Sequence, residues 1–248
     1  MSEIAVTDEA SIRTVRMARP DKKNALTLPM YAAMAAALED ASTNAAVRCV
    51  VIAGVPGAFC AGNDIADFME MTRTGALGEP IVRFLHALAR CEKPLVAAVT
   101  GNAVGVGATM LLHCDQVIAG SDARLATPFV ALGLVPEAAS SLIAPRLMGH
   151  ARAFSLLVMG KALAAEEARD AGIVSAVVAP GEVEAEAMKA AQAIALLPAQ
   201  SVVASRRLMR GPVEDIVRRI DEEADAFRVR LKSDEARAAF AAFIGRKK

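Results

Sequence analysis

A chain of 248 residues with 54% hydrophobic content buries one large core, or one core plus a small helical appendage. Its 28 Lys plus Arg balance 28 Asp plus Glu, and aromatics make up only 4% with no Trp, which excludes a basic field for nucleic acid or an anionic membrane and leaves no stacking platform for bases. No stretch reaches the roughly 18 uncharged apolar residues of a membrane span; the opening MSEIAVTDEA lacks a signal-peptide pattern, and the scattered Cys49, Cys60, Cys91 and Cys114 show neither metal spacing nor disulfide density, so a cytoplasmic protein with buried thiols is expected.

Along the chain, short β-rich runs at 12–17, 47–53, 95–100 and 117–119 alternate with helical patterns, which predicts an α/β fold with parallel strands. The first helix is predicted over 29–40, with Pro29 in its first turn, and a later one over 80–90. From Val183 the strand signal ends and alanine-rich amphipathic patterns follow, broken at Pro198 and at Gly211-Pro212. The apolar stripe Ile216, Ile220, Phe227, Phe240 and Phe243 is too large for such a segment to bury alone, so it is expected to pack on the main body or on another subunit.

Three stretches bear on chemistry. Residues 58–65 (AFCAGNDI) follow a buried-looking strand with a glycine-rich turn, which either aims backbone N–H groups at an anion or is an ordinary loop with Asp64 capping the next helix. Residues 101–107 (GNAVGVG) again lead from a strand through glycines into a helix, whose N-terminus adds positive dipole. Their spacing fits neither a dinucleotide fingerprint nor a P-loop, and no G-x-S-x-G elbow occurs. His86, His113 and His150 lack a second ligand at helical spacing, so no metal site is expected, and His113 reads as a packed or half-exposed histidine at a helix end. In the third stretch, 126–137 (ATPFVALGLVPE), Glu137 follows a nearly unbroken apolar run. Two readings of it stand open: a dehydrated carboxylate of raised basicity, or a solvated first-turn residue of a helix over 138–147.

Taken together, FCAGND (59–64), GNAVGVG with Cys114-Asp115 behind it, ATPF, LGLVPE and the early RPDKKNAL (19–26) resemble the crotonase, or enoyl-CoA hydratase/isomerase, superfamily over essentially the whole chain. The resemblance implies a ClpP/crotonase-like α/β fold, with a spiral of ββα units over 1–195 holding the acyl-CoA site. It assigns 196–248 to a C-terminal helical region that mediates homotrimers, sometimes paired into hexamers. The implied partner is an acyl-CoA thioester. Coenzyme A is then part of the substrate, with no further cofactor.

Carried over position by position, the backbone N–H groups of Asn63 and Val106 would form an oxyanion hole, and Lys23, Ala25, Ala61, Asp64, Ile65, Gly107 and Phe129 would line the substrate. Lys22, Lys23, Arg246 or Lys247 would meet the coenzyme A phosphates, and the acyl tail would run along Phe129 and a mobile 67–78 segment. Hydratases with two glutamates carry them where this chain has Thr109 and Phe129, and dienoyl-CoA isomerases also need an acid at Phe129. A single acid at Glu137 resembles the peroxisomal-type 3,2-enoyl-CoA isomerases, in which one base shuttles the proton. An enoyl-CoA hydratase using Glu137 alone, another acyl-CoA enolate reaction, or a non-catalytic acyl-CoA-binding subunit are the rival readings.

Overall fold

The computed structural model describes residues 3–245. Its elements run in chain order β1 (Ile4–Glu9), β2 (Ile12–Met17), α1 (Leu28–Thr43), β3 (Cys49–Ala53), β4 (Ala58–Cys60), α2 (Ile65–Thr74), α3 (Glu79–Arg90), β5 (Leu95–Val99), β6 (Asn102–Val104), α4 (Val106–Thr109), β7 (Gln116–Gly120) and β8 (Arg124–Ala126). There follow α5 (Ser140–Met148), α6 (His150–Leu157), β9 (Leu163–Ala164), α7 (Ala165–Asp170), β10 (Ala176–Val178), α8 (Val183–Leu196), α9 (Ala199–Arg210), α10 (Val213–Leu231) and α11 (Asp234–Gly245).

The strands form two sheets, ordered β1-β2-β3-β5-β7-β10 and β4-β6-β8-β9. The pairs β3/β4, β5/β6 and β7/β8 each place their first strand in the larger sheet and their second in the smaller, and each is followed by helix, so the chain winds as a spiral of ββα turns. The larger sheet is parallel from β2 to β10. Alternating side chains fill both of its faces: Val50 and Ile52 face the main core, whereas Cys49, Val51 and Ala53 face a second layer under α8. That explains why CVVIA is an unbroken apolar run. The α8 stripe Val183, Ala187, Ala191 and Ala195 is nearly all alanine, which lets the helix lie close to the sheet.

The expectation of parallel strands needs two corrections, because β1 pairs antiparallel with β2, and β9 with β8. The β1–β2 turn uses Ala10 and Ser11 at φ 48° and 65°, residues without the glycine or asparagine that announce such a turn. The stripe Ile216, Ile220, Phe227 and Phe240 is covered by this chain itself: Phe68 of α2 stacks on Phe240 at 4.5 Å between ring centroids and meets Phe227 edge-on at 6.3 Å. Those contacts also correct the mobile 67–78 segment, most of which is α2 with Phe68 and Met71 buried. Arg246, Lys247 and Lys248, and the side chain of Phe243, lie outside the described residues.

Candidate active site

β4 and β6 are parallel neighbours, so the loops that leave them run side by side. A Cβ on Gly105 would stand 3.9 Å from the Gly62 Cα. Gly105 itself has φ 57° and ψ −121°, a conformation that only glycine takes at low cost, and it turns the chain into α4 at Val106. As the first helical residue, Val106 has an N–H that its own helix cannot use. Neither this N–H nor that of Asn63 has an acceptor among the described residues. Gly107 brings the two loops together: a Cβ there would lie 2.8 Å from both the Cβ and the carbonyl oxygen of Cys60.

The 19–26 segment braces this turn from the other side. Asn24, fully buried, donates from Nδ2 to the carbonyls of Ala58 (2.9 Å) and Phe59 (3.0 Å), and its Oδ1 accepts from Arg19 N at 2.9 Å. Ala61 N donates to Lys23 O at 3.0 Å, Leu26 N to Gly62 O at 2.7 Å and Asp64 N to Leu26 O at 2.9 Å. Buried Tyr31 donates from its hydroxyl to Asn63 Oδ1 at 2.6 Å, fixing the residue whose N–H is free. Lys23, Ala25, Ala61 and Asn63 are thereby gathered into one wall, with Ala25 O held by Arg19 Nη1 at 2.9 Å.

Asp64 has its carboxylate engaged within the protein. Its carboxylate caps α2 by accepting from Ala66 N at 2.8 Å and takes Arg19 Nη1 at 2.7 Å. Burial pushes its carboxyl up, but Arg19 and the two capped N–H groups outweigh that and hold it below the usual range. Ile65 is 37% exposed at the start of α2, whereas Phe129 is buried and its carbonyl accepts from Leu132 and Leu134 N–H.

The solvated reading of Glu137 fails, because α5 starts at Ser140 and not at residue 138. Ala138 and Ala139 take left-handed φ of 62° and 53°, which turns the chain and sends Glu137 inward to 9% exposure. Two such alanines cost on the order of 1–2 kcal/mol each. Holding them are His113 Nε2–H, donating to Ala138 O at 2.8 Å, and Glu223 of α10, which accepts from Ala139 N at 2.6 Å and Ser141 N at 2.9 Å. His113 is the packed, neutral histidine expected of it: burial pushes its imidazole down to about 4.

Glu137 Oε1 accepts a hydrogen bond from Thr109 Oγ1, so the Thr109 hydroxyl is directed at the carboxylate. Burial raises the Glu137 carboxyl from its ordinary 4.5 to about 7, Thr109 pulling against the rise and the charge of Glu223 adding to it. Surface clefts of about 330, 500 and 420 Å³, lined by residues such as Gln200, Arg210 and His86, do not include this carboxylate. Sequence reasoning missed Glu223, Tyr31 and Asn24; the first is one of several acids on an amphipathic helix, and no local signal sets it apart.

The shifted Glu137 makes stability depend on pH. Since its folded value lies above its unfolded one, the neutral carboxyl is favoured by folding, and stability present below about 4.5 is lost as pH rises through about 7. The loss amounts to about 3 kcal/mol. Glu137→Gln removes it, so urea unfolding should find the variant more stable than the parent at pH 8, with the gap closing toward pH 5. A gap that does not change with pH would count against this assignment.

Comparison with known proteins identifies the framework. The family model described as enoyl-CoA hydratase/isomerase matches residues 7–248. Enoyl-CoA delta isomerase 2 of Rattus norvegicus is 36% identical over 98% of this chain, which spans 64% of that protein's length. The 1,2-epoxyphenylacetyl-CoA isomerase of Escherichia coli (strain K12) is 30% identical over 96% of this chain and 94% of its own. Among solved structures, OdaA of Pseudomonas aeruginosa superposes with a TM-score of 0.93 at 46% identity, covering 98% of this chain and 99% of that one. An enoyl-CoA hydratase/isomerase from Pseudoalteromonas atlantica T6c gives 0.93 at 39% identity over 99% and 98%. The ββα spiral and its helical C-terminal part are the expected crotonase fold, and the chain belongs to the enoyl-CoA hydratase/isomerase family.

Proposed function

We propose that this protein is an acyl-CoA isomerase that moves a double bond from C3 to C2 of an enoyl-CoA. The observation that carries the reading is the buried carboxylate of Glu137, raised to about 7 and paired with Thr109, with Phe129 where a second acid would stand. A base of that strength is matched to proton transfer near neutral pH. Ionised Glu137 takes a proton from C2, made acidic by the thioester and the adjacent double bond, and the electron pair passes into a dienolate. Its oxyanion accepts from Asn63 and Val106 N–H, each donor contributing roughly 3–4 kcal/mol. Glu137 then returns the proton at C4, leaving the double bond between C2 and C3. The shuttle needs no cofactor besides the coenzyme A that the substrate carries.

Lys23, Ala25, Ala61, Ile65, Gly107 and Phe129 belong to the walls around this centre, with Lys22 and Lys23 exposed for the coenzyme A phosphates. The reading includes a trimer or hexamer, supported by apolar side chains left uncovered on the helices: Leu208 and Met209 of α9 are 86% and 88% exposed, and Met159 after α6 is 71% exposed. Light scattering on the purified protein should give three or six times 25.9 kDa; a monomer would remove that part of the reading.

The activity is tested with 3-hexenoyl-CoA and crotonyl-CoA. Conversion of the former to 2-hexenoyl-CoA, faster than hydration of the latter, is the expected result. Faster hydration makes the protein a hydratase, and activity on neither turns attention to other enolate reactions.

A further inference from the structure

The carboxylate behind the base is as deeply set as the base itself. Glu223 is 6% exposed, and both of its oxygens accept only from donors: Oε2 from Ala139 N at 2.6 Å, Oε1 from Ser141 N at 2.9 Å and Ser141 Oγ at 2.5 Å. Arg219 Nη1 donates in turn to Ser141 Oγ at 3.2 Å. Burial leaves the Glu223 carboxyl above its ordinary value, against the pull of three donors and Arg219, all of which favour its charged form. The bonded backbone is the left-handed turn that directs Glu137 inward. We propose that Glu223 is a positioning residue for Glu137, clamping the reversed turn that carries the base and placing a fixed negative charge behind it. This inference rests on the isomerase reading of the site.

Other titratable groups around Glu137 are silent at neutral pH. Tyr31 of α1 is held well above its ordinary value by burial, Cys60 of β4 is pushed up to about 12 by burial, and His113, beside Ala138, is pushed down to about 4. All three are therefore uncharged. Glu223 is the anion that acts on Glu137, and Arg219, reaching Glu223 through Ser141, is the nearby cation that tempers it. A negative neighbour disfavours ionisation of the base and so strengthens its hold on a proton. Without it, Glu137 would lose its proton at lower pH and be a weaker acceptor.

Two substitutions weight the charge and the clamp differently, since Gln also turns one accepting oxygen into a donor. Glu223→Gln keeps the shape and an acceptor oxygen but removes the charge; Glu223→Asp keeps the charge on a shorter arm. The titration of Glu137 is followed by ¹³C NMR of glutamate labelled at the carboxyl carbon, its signal assigned by its absence in Glu137→Gln. This readout needs no turnover, so it stands even if the isomerase reading fails, and loss of 3-hexenoyl-CoA isomerisation in the parent marks that other failure. The expected result is a midpoint in Glu223→Gln lower than the parent's by about one pH unit, a tenfold change in proton affinity. The acid limb of kcat/KM moves with it. In Glu223→Asp, kcat should fall at least about tenfold while KM and the midpoint stay near the parent's. An unmoved midpoint in folded Glu223→Gln overturns the charge, and a parental kcat in Glu223→Asp overturns the clamp. Should Glu223→Gln fail to fold, the Asp variant alone decides for or against the clamp, and raised ionic strength, which leaves a buried pair unscreened, must leave the parent's midpoint in place if the charge is internal.

Discussion

Glu137→Gln will lower the isomerisation of 3-hexenoyl-CoA by about 10³-fold or more, the scale of removing a positioned general base. The substitution keeps the volume of the side chain and an oxygen that accepts from Thr109 Oγ1, so that hydrogen bond and the turn behind it survive. What disappears is the lone pair that takes the proton at C2 and returns it at C4. In the proposed mechanism Asn63 and Val106 grip the thioester separately, so KM should stay within a few-fold of the parent's, and the loss falls on kcat. In the parent, kcat/KM should rise with pH to a plateau above about 7, the pH at which this carboxylate ionises. Steady-state kinetics on the two proteins settles the matter. A variant that keeps a tenth of the parent's kcat would show that some other group moves the proton.

The second large effect comes from a donor that no side-chain truncation can reach. Val106→Pro will reduce kcat about 10²- to 10³-fold, the range observed when one donor of an oxyanion hole is removed. Val106 opens α4, and its N–H has no partner among the described residues, so a proline there deletes no hydrogen bond within them. Proline is at home in the first position of a helix. The preceding residue, Gly105, has no Cβ to meet the proline ring. Val106→Ala, which keeps the N–H, should retain most of the parent's activity, and circular dichroism with thermal melting checks that both variants fold. A proline variant as active as the parent would take Val106 out of the mechanism.

Much of the larger sheet is legible in the sequence, because strands buried on both faces leave continuous apolar runs such as 49–53 and 95–99. Helices α1 and α8 are legible from their alanine-rich composition, and α3 from apolar residues at helical spacing. The smaller sheet is not: β4, β6 and β8 have three residues each, too few to show a period, and are formed by pairing across turns of the spiral. The glycines of 59–64 and 101–107 announced close backbone approaches, and the chain folds around them as expected. Glu137 stood undecided because its burial depends on two alanines in left-handed conformation, a choice that alanine's own preference for helix contradicts. Tertiary hydrogen bonds from Glu223 and His113 overrule that preference. Asp64 divides between the two cases: its capping of α2 is legible locally, whereas the pairing of its carboxylate with Arg19, 45 residues earlier, is not.

The hydrogen bond from Ala139 to Glu223 closes a gap of 84 residues along the chain. A ribosome adding roughly 5–20 residues per second needs about 4–17 s to cover that distance. Throughout that interval the nascent chain already holds Asn63, Val106 and Glu137, while the turn that aims the carboxylate has His113 but lacks its Glu223 anchor. Competence therefore arrives late and all at once, when α10 docks, and a chain interrupted before Glu223 leaves the ribosome with its donors in place and its base unaimed.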